Sequence, residues 1–97
     1  MVAEYVIGQL VFSKSGHDKG TLFIIIDIKD EYLYLADGKI RKIEKPKKKK
    51  IKHVQKVNYV IKEIQEKIQG ESNLNNAGLR KAISQYLEAS SKQRGGL

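Results

Sequence analysis

A chain of 97 residues with 40% apolar side chains has room for one modest core, and without cysteine it has neither a disulfide nor a thiolate metal site to reinforce it. No apolar run is long enough to span a bilayer, and Met1-Val2-Ala3-Glu4-Tyr5 lacks the charged-then-apolar pattern of a secretion signal, so a cytoplasmic protein without a membrane partner is expected. The net charge of +8 is unevenly spread: residues 39–56 hold ten basic residues against one acid, Glu44, while the rest hold nine against ten. Such a block points to an acidic polymer or an anionic membrane surface, the first being expected because no amphipathic anchor adjoins it.

After a short lead-in over residues 1–6, the first strand is expected at Gln9–Ser13 and the second at Thr21–Lys29. Between them, Gly16 and Gly20 bracket a turn carrying Lys14, His17 and Lys19, where glycine supplies positive φ. Asp18 is expected to cap this turn by accepting from backbone N–H groups. The second strand would place Leu22, Ile24, Ile26 and Ile28 on one face and Phe23, Ile25 and Asp27 on the other. Clean alternation with polar residues is missing over its first half, so both faces need cover, and the C-terminal helices are expected to lie over Phe23 and Ile25.

Asp30-Glu31 makes a turn into a third strand, Tyr32–Ala36, and Asp37-Gly38 is a type I′ hairpin signal leading to a fourth strand at Lys39–Ile43. Pro46 interrupts the ladder, and a short fifth strand near Lys52–Val54 would close the sheet. Short strands joined by tight turns over this length argue for a small curled barrel of the SH3-like kind. After Val57 the period lengthens: Val57, Val60, Ile61, Ile64 and Ile68 share one helical face, with Asn58 as N-cap and Gly70 at the far end. A second helix starts at Asn75 or Asn76. With Asn75 as cap, Leu74 and Leu79 form a hydrophobic staple, and Leu79, Ala82, Ile83, Tyr86 and Leu87 make the apolar stripe. Ser90–Leu97, with Gly95-Gly96, reads as a frayed tail. The expected organisation is mainly β with C-terminal α: a barrel with its basic extension over residues 1–57, then a helical segment over 58–97.

Gly8-Gln9-Leu10-Val11, followed by Gly16-His17-Asp18-Lys19-Gly20, resembles the KOW motif. That motif is the small β-barrel element of several ribosomal proteins and of NusG-type elongation factors. The likeness is greatest to KOW-containing large-subunit ribosomal proteins of archaea and eukaryotes, and it extends to small bacterial KOW-domain RNA-binding proteins. It continues through Ala36-Asp37-Gly38-Lys39 and Arg41-Lys42 to Pro46-Lys47-Lys48-Lys49 and His53, covering roughly residues 5–55. His17 departs from the pattern where arginine is expected, which removes one permanent charge. The resemblance implies an SH3-like barrel that binds structured RNA, ribosomal RNA first, in association with the ribosome or translation. The resemblance ends before the helices, which would either pack on the barrel or form a separate arm that meets ribosomal proteins or a translation factor.

The residues themselves supply the contacts that such a role needs. The run Lys45-Pro46-Lys47-Lys48-Lys49-Lys50, with Lys52, suits phosphates, and neutralising each phosphate releases counterions. Lys14, His17 and Lys19 in one loop and Lys39, Arg41 and Lys42 in the next would extend that basic surface, with the planar Arg41 fork suited to bidentate recognition. Tyr32 and Tyr34 share one strand face, with Tyr5 as a possible neighbour, and can either stack on unpaired bases or sit half-buried with wet hydroxyls. His17-Asp18 and His53 are the only catalytic-looking residues. Adjacent residues in a tight loop rarely reach base-and-orienter geometry, and no nucleophile motif, carboxylate pair or metal-ligand spacing supports them, so neither an enzyme nor a cofactor is expected. The rival reading is a protein-interaction module, an SH3-like barrel that binds a transcription or translation partner.

Overall fold

The computed structural model describes residues 4–95. Five strands form one antiparallel sheet: β1 (Gln9–Ser13), β2 (Leu22–Lys29), β3 (Tyr32–Ala36), β4 (Lys47–Lys50) and β5 (Val54–Val60), in the order β4-β3-β2-β1-β5. A single 3-10 turn, Ile51–His53, joins β4 to β5, and two helices follow, α1 (Lys62–Gln69) and α2 (Asn76–Gly95). Strands β4 and β5 are the two ends of the sheet, which does not close.

The two apolar faces of β2 are both covered, but the cover is distributed differently from expectation. Phe23 and Ile25 face the concave side of the bent sheet, in a cluster with Tyr5, Val11, Leu33, Leu35 and Val54. The helices lie on the opposite face, where Ile64 of α1 and Leu79 of α2 are buried against Leu10, Leu22, Ile24 and Ala36. Bending lets the sheet supply its own cover for Phe23 and Ile25, so the helices are spent on the other side. Tyr5, in the stretch expected to be a mere lead-in, is part of this first cluster and 8% exposed.

A bulge in β2 explains a second departure. Ile25 pairs with Leu35 and Asp27 with Tyr34, so Ile26 is an extra residue on one strand. One extra residue inverts the alternation that follows it. Asp27 therefore joins the helix-side face, while Ile28 turns inward against the concave cluster.

The segment expected as a fourth strand, Lys39–Ile43, is instead a loop wound around one carboxylate. Asp37 Oδ1 accepts from the backbone N–H groups of Lys39 (3.0 Å) and Arg41 (2.9 Å), and the Arg41 carbonyl accepts from Asp37 and Gly38. An aspartate that satisfies local N–H groups competes with a ladder. The lysine run takes the fourth strand position instead. The expected fifth strand is displaced too: residues 51–53 turn, and β5 runs on through Asn58, so Asn58 is no helix cap. Ile61 precedes α1 in that role with no side-chain bond. The apolar spacing that suggested a longer helix survives because Val57, Ile61, Ile64 and Ile68 all pack into the same helix-side cluster.

Gly70 does not take the left-handed conformation at the end of α1. That falls to Glu71 at φ +56°, with Ser72 N donating to the Lys67 carbonyl. The start of α2 follows expectation. Asn75 Oδ1 accepts from Gly78 N at 2.7 Å, and Leu79 is fully buried with Leu74 packed on the same cluster. Of the expected stripe, Ala82, Ile83 and Tyr86 also pack there, but Leu87 is 48% exposed. The helix continues through Gly95, so residues 90–95 are helical rather than frayed, and the last two residues lie outside the described ones.

The 37–44 loop is docked onto the first turn of α2. Gly38 has φ +79°, and a Cβ there would collide with the Asn76 carbonyl. Arg80 Nη1 donates to the Gly38 carbonyl at 2.6 Å, and Asn76 Oδ1 accepts from Ile43 N at 2.8 Å. Asn76 Nδ2 donates to Glu44, and that bond is the main cause holding the Glu44 carboxyl below its ordinary range. No helix among the described residues is long and apolar enough to cross a membrane.

Candidate nucleic-acid interface

The helices cover only part of their side of the sheet. Ala36 lies under them, and because side chains two apart along a strand share a face, Tyr34 and Tyr32 continue the same face. Both rings are half-buried. Across the ladder, Lys48 stands opposite Tyr34 and Lys50 opposite Tyr32 on one side, and Asp27 and Lys29 stand opposite the same tyrosines on the other. The outcome is a patch of two aromatic rings flanked by lysines from both neighbouring strands.

The ammonium groups lie against those rings. Lys48 Nζ is 4.4 Å from the Tyr32 centroid and Lys50 Nζ 5.8 Å, while Lys29 Nζ is 5.8 Å from that of Tyr34. Contacts of this kind are worth about 0.5–1 kcal/mol at exposed sites. They hold long side chains near the sheet and leave their charge available to an anion. Asp27 is the one acid in the patch, and its Oδ1 accepts from the backbone N–H of Ile28 at 2.8 Å.

The four consecutive lysines of β4 therefore divide by parity. Lys48 is exposed and Lys50 half-buried on the tyrosine face, whereas Lys47 and Lys49 point to the concave side, opposite Leu35 and Leu33. Lys49 departs from the expected phosphate-contacting set: it is 8% exposed, and its Nζ donates to Asp18 Oδ1 at 2.9 Å and to the Ser15 carbonyl at 2.8 Å. Its charge is consumed inside the fold. An edge strand of lysines, one of them inward-pointing, also discourages pairing with another sheet.

The same ion pair corrects the role of Asp18. Its carboxylate accepts from Ser13 Oγ (2.7 Å) and Lys49 rather than from backbone N–H groups, and the turn is closed instead by its carbonyl, which accepts from Thr21 N. Burial alone would raise the carboxyl's pKa. The hydrogen bonds from Lys49 and Ser13, with the charges of Lys49 and Lys47, outweigh burial and hold it below the ordinary value. The glycines bracketing the turn do adopt positive φ, +83° at Gly16 and +89° at Gly20. Lys14, His17 and Lys19 are all exposed on this loop, which Lys49 clamps to β4. With its carboxylate engaged by Ser13 and Lys49, Asp18 is not held as an orienter of His17.

The remaining predicted residues sit apart from the tyrosine patch. Lys39, Arg41, Lys42 and Lys45 belong to the loop and linker beside α2, with Arg41 half-buried and the others exposed. Lys52 is exposed on the 3-10 turn. The sequence reading overlooked Lys29, whose signal was its place at the end of β2, directly across from the first tyrosine of the next strand. Tyr5 is not beside Tyr32 and Tyr34. It faces the concave cluster, with Lys56 Nζ 5.4 Å from its ring. Among the described residues no group of three or more His, Cys, Asp or Glu side chains could hold a metal ion.

No family model matches the chain, and no curated protein matches it significantly.

Proposed function

We propose that this chain is a non-enzymatic RNA-binding protein acting on structured RNA, ribosomal RNA first, in association with the ribosome. The observation that carries the reading is the uncovered sheet face on which Tyr32 and Tyr34 lie among Lys29, Lys48 and Lys50. Lysines there meet phosphates as point charges, and a ring beside them offers a stacking surface to any base that is unpaired. The exposed Lys14, His17 and Lys19 extend the basic surface from the loop clamped to β4, with Lys52 on the following turn. Recognition of this kind reads shape and backbone charge more than base edges.

The SH3-like KOW barrel suggested by the sequence is part of the same proposal. Its support is that β5 returns beside β1 after a 3-10 turn, bending the chain around the concave cluster. The test is binding of a labelled ribosomal RNA hairpin across a salt series, run for the wild type and for Lys48→Gln and Lys50→Gln. Each substitution should make the slope of log K against log salt shallower by roughly 0.7–0.9. Failure of the wild type to bind at low salt would sink the reading. Sedimentation of the tagged protein through a sucrose gradient tests the ribosomal part: a position at the top of the gradient even in low salt would refute it.

A further inference from the structure

Two large aliphatic side chains are exposed where the 37–44 loop meets α2. Ile40, at the tip of the 37–44 loop, is 67% exposed, and Leu87, the residue of the α2 stripe that misses the core, is 48% exposed. Both line a groove of about 440 Å³ whose walls include Leu22 and Ile83, with Lys39 and Arg80 at its edge. The volume lies in the range of natural binding clefts. The groove does not involve the tyrosine patch.

We infer that this groove docks an acidic polypeptide segment, which inserts aliphatic side chains between Ile40 and Leu87 and sets carboxylates on Lys39 and Arg80. Charge complementarity identifies the occupant. Among the residues lining the groove, Lys39 and Arg80 outnumber the one acid, Asp37, whose Oδ1 is turned to two backbone N–H groups of its own loop, so the lining is net positive. Arg80 spends one donor on the Gly38 carbonyl, which holds its guanidinium at the edge of the trough. The guanidinium fork has five donors in all, so others remain for a bidentate carboxylate. Nucleic acid is a poor fit, because the lining offers aliphatic rather than aromatic surface to a base. The surface is also built to persist: Gly38, Asn76 and Arg80 lock the loop that carries Ile40 to the helix that carries Leu87.

The experiment is an amide NMR titration of the full chain with a short synthetic peptide of glutamate and leucine. A lysine-for-glutamate version and vesicles containing phosphatidylglycerol are the comparison probes. Shifts should cluster at Ile40, Ile83, Ser84 and Leu87. Leu87→Ser or Ile40→Ser should weaken the acidic peptide about tenfold, the loss of one buried aliphatic contact. Lys39→Ser should weaken it less, and Lys48→Gln should leave it unchanged. Both aliphatic positions are exposed, so neither variant threatens folding, and a retained amide spectrum would confirm that. Shifts centred on Lys48 and Lys50, affinity indifferent to Leu87→Ser, or no binding of the acidic peptide would each overturn the inference. So would equal binding of the lysine version, or a groove response to vesicles and not to peptide.

Discussion

Removing the Asp18 carboxylate separates the two jobs that the lysine run performs. In Asp18→Ala the Lys49 ammonium stays 8% exposed with only the Ser15 carbonyl as a partner. Breaking a buried pair from one side costs about 3–5 kcal/mol, and because the Asp18 side chain is 12% exposed and its loop can relax, the expected cost is nearer about 2–3 kcal/mol. For a domain whose total stability is about 5–15 kcal/mol, that is a large share, and it lowers Tm by roughly 10–20 °C. Asp18→Ala combined with Lys49→Met removes both charges and should return stability to within about 1 kcal/mol of the wild type. Urea unfolding at pH 7 followed by circular dichroism measures all of this. A cost below about 0.5 kcal/mol for Asp18→Ala, the size of an ordinary surface change, would refute the buried pair. Lys49→Met should also leave the salt dependence of RNA binding untouched, whereas Lys48→Gln should not. The sign with pH follows from the depressed Asp18 carboxyl. The pair's contribution is complete above the ordinary carboxylate pKa of about 3.9 and is lost as pH falls through the lower folded value. The gap between wild type and Asp18→Ala should thus hold from pH 7 to about 5 and close in stronger acid.

Three further outcomes are expected. Gly38→Ala must place a Cβ against the Asn76 carbonyl at φ +79°, so it should cost about 2–3 kcal/mol in urea unfolding and expose the Ile43 amide to hydrogen exchange. Asn76→Ala removes the acceptor for that amide and should cost about 1–2 kcal/mol, while NMR titration should find the Glu44 carboxyl moved up towards its ordinary range. Glu71→Gly relieves a side chain held at φ +56° and should raise stability by about 0.5–1 kcal/mol, measured by the urea midpoint.

Where turn residues bounded a short apolar run, the sequence was easy to read. β1 and β3 fall where Gln9–Ser13 and Tyr32–Ala36 were expected, and the Asn75 cap with its Leu74–Leu79 staple is as foreseen. The extra residue at Ile26 was invisible, because five consecutive apolar residues, Leu22 to Ile26, look alike in any phase. That concealed which face the helices cover. Lys39–Ile43 was expected as a strand because Asp37-Gly38 reads as a hairpin turn, while the carboxylate that winds the segment into a loop acts through backbone N–H groups that leave no periodic trace. The candidate site was legible as chemistry but not as geometry. Lysines and tyrosines were evident, yet only strand pairing reveals that Lys29, Lys48 and Lys50 meet the rings, and that Lys49 turns away to Asp18.

The homopolymeric character of β4 has a consequence for how its pairing is specified. A strand of unlike residues has its neighbour's register written into every position, but in Lys47–Lys50 a slide of one place along β3 exchanges lysine for lysine at all interior positions. The middle of the strand is thus degenerate, and the ends must supply the stop. At one end Pro46 has no N–H to offer a ladder. At the other, Ile51 donates its N–H to the Glu31 carbonyl and packs its side chain on the concave cluster. Deleting a lysine, rather than replacing one, would set those two stops against each other. Ile51 could then keep its place only by drawing Pro46 into the ladder, so this short strand should tolerate changes of charge far better than changes of length.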